Sequence, residues 1–242
     1  RLLVPRATGF NPKSLAGMLL WLDASDASTI TTDTGVSEWR DKSGLGQSMA
    51  QASGSNQPAY LTDGIGGKPA VEFTSSSSHF MRGTFSHSLT GITVLVAQTM
   101  ESTTGANGRS FSLAVSGSNN DFSGAGHLCP SLRSGSQEQV GCQHDGGLRV
   151  ARAVTYTVPF IQCIQHTGSV LSNRIDNGTA ATHAASFAPA MANMMLSTFS
   201  SSGGAGGFWT GRIAEIIVYS RAISDLERLA AHNYFAGKYG IT

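Results

Sequence analysis

The spacing of its turns most constrains what this chain can become. Asp33-Thr34-Gly35, Ser43-Gly44, Asp63-Gly64, Gly66-Gly67 and Asn177-Gly178 break it at short intervals. Gly supplies positive φ, while Asp, Asn and Ser satisfy turn backbone with their own side chains, so such clusters separate short extended segments. Runs that read as strands lie between and beyond them, at residues 18–22, 36–40, 70–73, 92–100, 111–115, 158–164, 170–175, 194–199 and 212–219. Strand, turn, strand at this rhythm is the pattern of a sandwich or barrel, and the 29 glycines fit it.

Two of these runs barely alternate. Ile92-Thr93-Val94-Leu95-Val96-Ala97 and Phe160-Ile161-Gln162-Cys163-Ile164 are apolar on both faces, which places them at the centre of a sheet. Asn177-Gly178 can supply the positive φ angles of a type I′ turn, so a hairpin is expected there. Helix is confined to the end of the chain. Ser224 and Glu227 form a capping box, Leu226, Leu229, Ala230 and Tyr234 recur on one face, and Gly237 can close the helix.

With 40% hydrophobic residues the chain can fill a core, and nothing resembling a linker divides it, so residues 17–242 are expected to form one domain. Residues 1–16, which carry Pro5 and Pro12, are expected to form an extended arm. The net charge of +1 provides no field for a polyanion, which argues against nucleic acid as a partner. The longest apolar stretch, residues 18–22, is far short of the ~20 residues needed to span a bilayer, so no membrane insertion is expected. Cys129, Cys142 and Cys163 lie far apart with no CxxC pair, which disfavours zinc. A Cys129–Cys142 disulfide and three buried thiols both remain open.

A resemblance sharpens the fold. Leu20-Trp21-Leu22-Asp23-Ala24-Ser25-Asp26 leads to Trp39-Arg40-Asp41-Lys42-Ser43-Gly44, then to Pro58-Ala59-Tyr60 and Pro69-Ala70-Val71-Glu72-Phe73. This succession resembles the opening of laminin-G-like, concanavalin-A-like jelly-roll domains of bacteriophage structural proteins and large bacterial surface proteins. The closing run from Gly211 to Tyr219, with Ser224-Asp225-Leu226-Glu227-Arg228 and Tyr234-Phe235-Ala236-Gly237-Lys238-Tyr239, looks like the last strand and terminal helix of the same family. The resemblance implies an all-β, antiparallel jelly-roll β-sandwich with a short C-terminal α-helix.

Catalytic chemistry finds little support in the residues. Retaining glycosidases need two carboxylates about 5 Å apart, yet Glu215 stands alone on its strand and reads as a structural acid. No Gly-x-Ser-x-Gly elbow occurs, and the seven His are scattered. His144-Asp145 is the nearest thing to a catalytic pair, but adjacent residues on a strand point to opposite faces. Asp23, Asp26, Asp33 and Asp41 offer oxygens of the kind calcium takes, although their spacing matches no calcium loop and Asp41 is placed to cap its own turn. No metal site or cofactor is therefore assigned, and calcium is the alternative left open.

Exposed aromatics are the better route to a ligand, because sugar rings stack on them through apolar CH groups. Trp21 and Trp39 sit in strand patterns and are expected in the core. Trp209, with Phe208, follows the Gly-rich segment at residues 203–207 and is expected to be exposed. Trp209, Phe208, His144 and Asp145 are thus the ligand-binding candidates. The family resemblance implies a non-catalytic virion-surface module, made in the host cytoplasm and present as a homo-oligomer or in multiple copies. Its implied partners are other capsid or tail proteins, with adhesion to host-surface glycans as the alternative and polysaccharide cleavage as a remote third.

Overall fold

The structure is a computed structural model that describes residues 9–105, 107–115, 128–133, 137–144, 147–186, 190–201 and 204–242. Two antiparallel sheets face each other. In the first, the strands run in the order Ala181–Ala184, Val170–Ile175, Phe160–His166, Ile92–Gln98, Gly211–Tyr219, Lys68–Phe73 and Ala59–Ile65, with Met18–Asp23 also paired to Gly211–Tyr219. In the second, the order is Gly147–Leu148, Gln139–His144, Leu128–Arg133, Arg109–Val115, Ala190–Leu196, Met81–Ser88, Met49–Ala50, Val36–Trp39 and Ile30–Thr32, with Arg152–Ala153 paired to Gln139–His144. The expected all-β sandwich with one C-terminal helix is what forms.

The first sheet is buried on both sides. Leu20, Leu22, Phe73, Val94, Val96 and Ile216 point between the sheets, where they meet Trp39, Phe85 and Phe111 of the second. Leu95, Ala97, Ile161, Cys163, Ala214 and Ile217 point the other way, against the helix. This double burial is why Ile92–Gln98 carries no water-facing position and Phe160–His166 almost none.

The helix, Asp225–Tyr239, begins with the expected capping box: Ser224 accepts from the Glu227 backbone, and the Glu227 side chain accepts from the Ser224 backbone. Its buried face differs from the expected one. Arg228, Ala231, His232, Phe235 and Tyr239 face the sheet, whereas Leu226 is 81% exposed and Leu229 is exposed as well. The bulky rings decide the rotation, because burying Phe235 and Tyr239 is worth about 1.5–3 kcal/mol each and the sheet has room for only one stripe. Gly240, at φ 66°, closes the helix in place of Gly237.

Two further expectations are adjusted, and one open alternative is decided. The hairpin between Val170–Ile175 and Ala181–Ala184 forms, but Asp176 takes the positive φ (51°), not the Asn177-Gly178 pair. Cys129, Cys142 and Cys163 all stand as buried thiols, so Cys129 and Cys142 form no disulfide. Of the proposed arm, residues 1–8 lie outside the described residues. The remainder forms a 3-10 turn, Pro12–Ser14, and packs on the helix side: Phe10 sits 5.7 Å from the Tyr234 ring, and Tyr219 Oη donates to the Pro12 carbonyl at 2.9 Å.

Candidate functional site

The structure separates the residues singled out in the sequence. Trp209, expected at the surface, is fully buried beside Met100, Val140 and Phe160. Its indole Nε1 donates to the Thr99 carbonyl at 3.2 Å, and its backbone N–H donates to Ser197 Oγ at 3.1 Å. An amphipathic ring with a carbonyl in reach gains more by burial than by exposure. Phe208 stays half-buried, with its ring 6.3 Å from that of Phe80. His144 ends the strand Gln139–His144, and Asp145 lies outside the described residues.

Glu215 is the centre of a buried polar cluster between the first sheet and the helix. It takes four donors: Trp21 Nε1 (2.6 Å), Tyr234 Oη (2.9 Å), Lys238 Nζ (2.7 Å) and Tyr239 Oη (2.8 Å). Lys238 also donates to Asp23 at 2.8 Å, and Lys42 bridges Asp23 and Asp26 at 2.9 Å each. Burial pushes the Glu215 carboxyl up, against the pull of the Lys238 ammonium. Burial also works to raise Asp23, but Lys238, Ser25 and Lys42 outweigh it and hold that carboxyl below its ordinary value.

Of the carboxylates offered for calcium, those of Asp23 and Asp26 are thus turned toward two ammonium groups. Asp41 accepts from the Ser43 backbone at 2.8 Å and from the Trp21 backbone at 2.9 Å, the turn-capping role expected of it. Trp21, expected in the core, is only half-buried, with Lys42 Nζ 4.3 Å above its ring. Trp39 is fully buried as expected. Every polar contact in this cluster is internal, so it reads as the clasp that seats the helix.

The groups turned outward lie on the other sheet, along Met81–Ser88. Met81 and Phe85 point into the core, while Arg82, Thr84, Ser86 and Ser88 are exposed. Gly83 is needed where the strand crosses the preceding segment, because a Cβ there would come within 2.5 Å of the Ser48 carbonyl. On the edge facing Met49–Ala50 the ladder pairs only Arg82 with Ala50.

At the far end of this strand lies an open depression of about 320 Å³, lined by Leu45, Gly46, Gln47, Thr84, Ser86 and His87. Gln47 Nε2 donates to the Leu19 carbonyl at 2.7 Å, so its Oε1 is the acceptor for His87 Nε2 at 3.0 Å. Burial holds the His87 imidazole below its ordinary value. Leu45, 55% exposed, forms an apolar wall.

At the near end, Arg82 Cζ lies 4.9 Å from the Phe80 ring, with Phe208 beyond it. Phe80 is anchored through its backbone N–H to the Asn56 carbonyl (3.1 Å), and Phe208 through a bridge to Arg109. From Arg82 to Ser86 the strand spans about 14 Å at its usual rise. A polar track with an aromatic pair at one end and a hydroxyl-lined hollow at the other suits a ligand rich in hydroxyls with apolar ring faces. Sequence reasoning found only Phe208 of this group. The available signal was the alternation of apolar Met81 and Phe85 with polar Arg82, Thr84 and Ser86.

No family model matches the chain, and no curated protein matches it. Solved structures do resemble it. The binding domain of Paraclostridial Mosquitocidal Protein 1 superposes with a TM-score of 0.63 at 10% identity, over 93% of this chain and 53% of that one. The binding domain of Botulinum Neurotoxin DC, solved in complex with SialylT, gives 0.59 at 9% identity, over 91% and 52%. Trypanosoma rangeli sialidase in complex with sialic acid gives 0.54 at 10% identity, over 94% and 34%. The chain spans about half the length of the two toxin binding domains and about a third of the sialidase. At these identities the likeness is one of fold: the chain shares a β-sandwich with these proteins.

Proposed function

We propose that this chain is a non-catalytic glycan-binding module that lays an oligosaccharide along the outer face of Met81–Ser88. The observation that carries the reading is the exposed row Arg82, Thr84 and Ser86, running from the Phe80–Phe208 pair to the depression beside His87 and Gln47. Similarity to a toxin domain solved with SialylT and to a sialidase solved with sialic acid supports it. The internal saturation of Glu215 and Asp23 favours binding over cleavage, since a working acid must reach the substrate. Titration calorimetry against a panel of neutral and acidic oligosaccharides tests the proposal. Binding should weaken at least tenfold in a Thr84→Ala/Ser86→Ala variant that melts like the wild type, at roughly 1 kcal/mol per lost hydrogen bond. Equal binding by that variant, or release of sugar from the probes, would refute it.

A second reading, a virion-surface module that docks on capsid or tail proteins, draws on the exposed apolar pair Leu226 and Leu229 of the helix. It predicts that Leu226→Glu abolishes attachment to phage particles and leaves glycan binding intact.

A further inference from the structure

We infer that the Arg82 end of this track selects sugars bearing a carboxylate, an inference that rests on the glycan-binding reading above. Among the described residues the Arg82 side chain forms no hydrogen bond or ion pair, and its guanidinium carbon lies 4.9 Å from the Phe80 ring. Three other surface arginines are spent on acids: Arg40 on Glu38, Arg212 on Glu72 and Arg221 on Glu227. The side chains facing Arg82 across the sheet carry no charge, since Ala50 lies opposite on one side and Met195 on the other. Glu38, the acid opposite Ala50 on the next strand, is already held by Arg40 at 3.2 Å.

The cation–π contact with Phe80, 4.9 Å from the guanidinium carbon, uses none of the group's N–H donors. Those donors form a fixed fork that matches two carboxylate oxygens. Phe80 and Phe208 beside it offer an apolar floor for the ring that carries the acid. Thr84 and Ser86 then take hydroxyls further along, so charge is read at one end of the track and hydroxyl pattern at the other.

The test uses the full chain with sialyllactose and tetragalacturonate, each against its carboxyl-reduced counterpart, and with sulfated lactose. At least one carboxylate probe should bind about tenfold or more tightly than its reduced form, the scale of a charge-assisted contact. In Arg82→Gln the ratio of acidic to reduced-sugar affinity should fall to about one, and Arg82→Lys should restore only part of that ratio. Arg82 is exposed, so unchanged melting of both variants verifies the fold. Equal binding of acidic and reduced sugars, or a preference unaltered in Arg82→Gln, overturns this inference and leaves the glycan-binding reading standing. Tighter binding of sulfated lactose than of either carboxylate overturns the carboxylate assignment. Failure of every probe, neutral or acidic, defeats both.

Discussion

Replacing Glu215 with Gln removes one charge from the buried cluster and changes almost no volume. Lys238 then loses the carboxylate 2.7 Å away but keeps Asp23 at 2.8 Å, while the amide nitrogen faces donors it cannot satisfy. Losing one partner of a buried pair costs about 3–5 kcal/mol, and the surviving Asp23 contact places this case near 3 kcal/mol. For a domain of this size each kcal/mol moves the midpoint by about 2–4 °C, so Tm should fall by about 6–12 °C. Urea and thermal unfolding followed by circular dichroism measure it, and a Lys238→Met cycle isolates the coupling. Glycan affinity should stay unchanged below the transition, because the cluster lies against the helix and the track lies on the other sheet. Stability within about 0.5 kcal/mol of the wild type would refute the idea that this cluster seats the helix.

Trp209→Ala should destabilise the fold by about 3–5 kcal/mol, read by urea denaturation, as expected for a buried aromatic; Phe208→Ala should leave stability nearly intact and weaken glycan binding. Arg221 and the Ser224 backbone hold Glu227 at about 2, below its ordinary 4.5, so its contribution is present above pH 4.5 and lost as pH falls toward 2. Glu227→Gln should therefore flatten that acid limb in a pH series of unfolding midpoints. The Cys163 thiol, buried and pushed up to about 12, should resist iodoacetamide at pH 8 in the native protein and react once the chain is unfolded in urea, as mass spectrometry can show.

How much of this was legible in the sequence follows from the range of the interactions. Ile92–Gln98 and Phe160–His166 announced themselves because burial on both faces leaves an unbroken apolar run. The capping box of Ser224 and Glu227 and the Asp41 turn were legible because their partners lie within a few residues. The helix face was misread because Leu226 and Leu229 satisfy the same periodicity as Phe235 and Tyr239, and only the opposing sheet decides which stripe is covered.

The Asp23–Lys238 contact joins residues 215 positions apart, so no local pattern encodes it. Met81–Ser88 escaped notice because its outward positions are Arg, Thr and Ser and it contains Gly83, a composition that reads as loop. Those outward residues form the candidate site, so the same chemistry that suits them to a ligand disguises the strand. Trp209 misled for a related reason: a Gly-rich approach suggests a projecting loop, but Gly211 lets the chain turn the indole inward beside the Thr99 carbonyl.

Amide chemical-shift mapping of the labelled chain during titration with an acidic oligosaccharide tests the location of binding most directly. Shifts should gather at residues 45–47, 80–88 and 208, with the side-chain resonance of Arg82 among the largest. Shifts gathered instead on the helix, or around Glu215 and Lys238, would contradict the placement of the ligand on the second sheet.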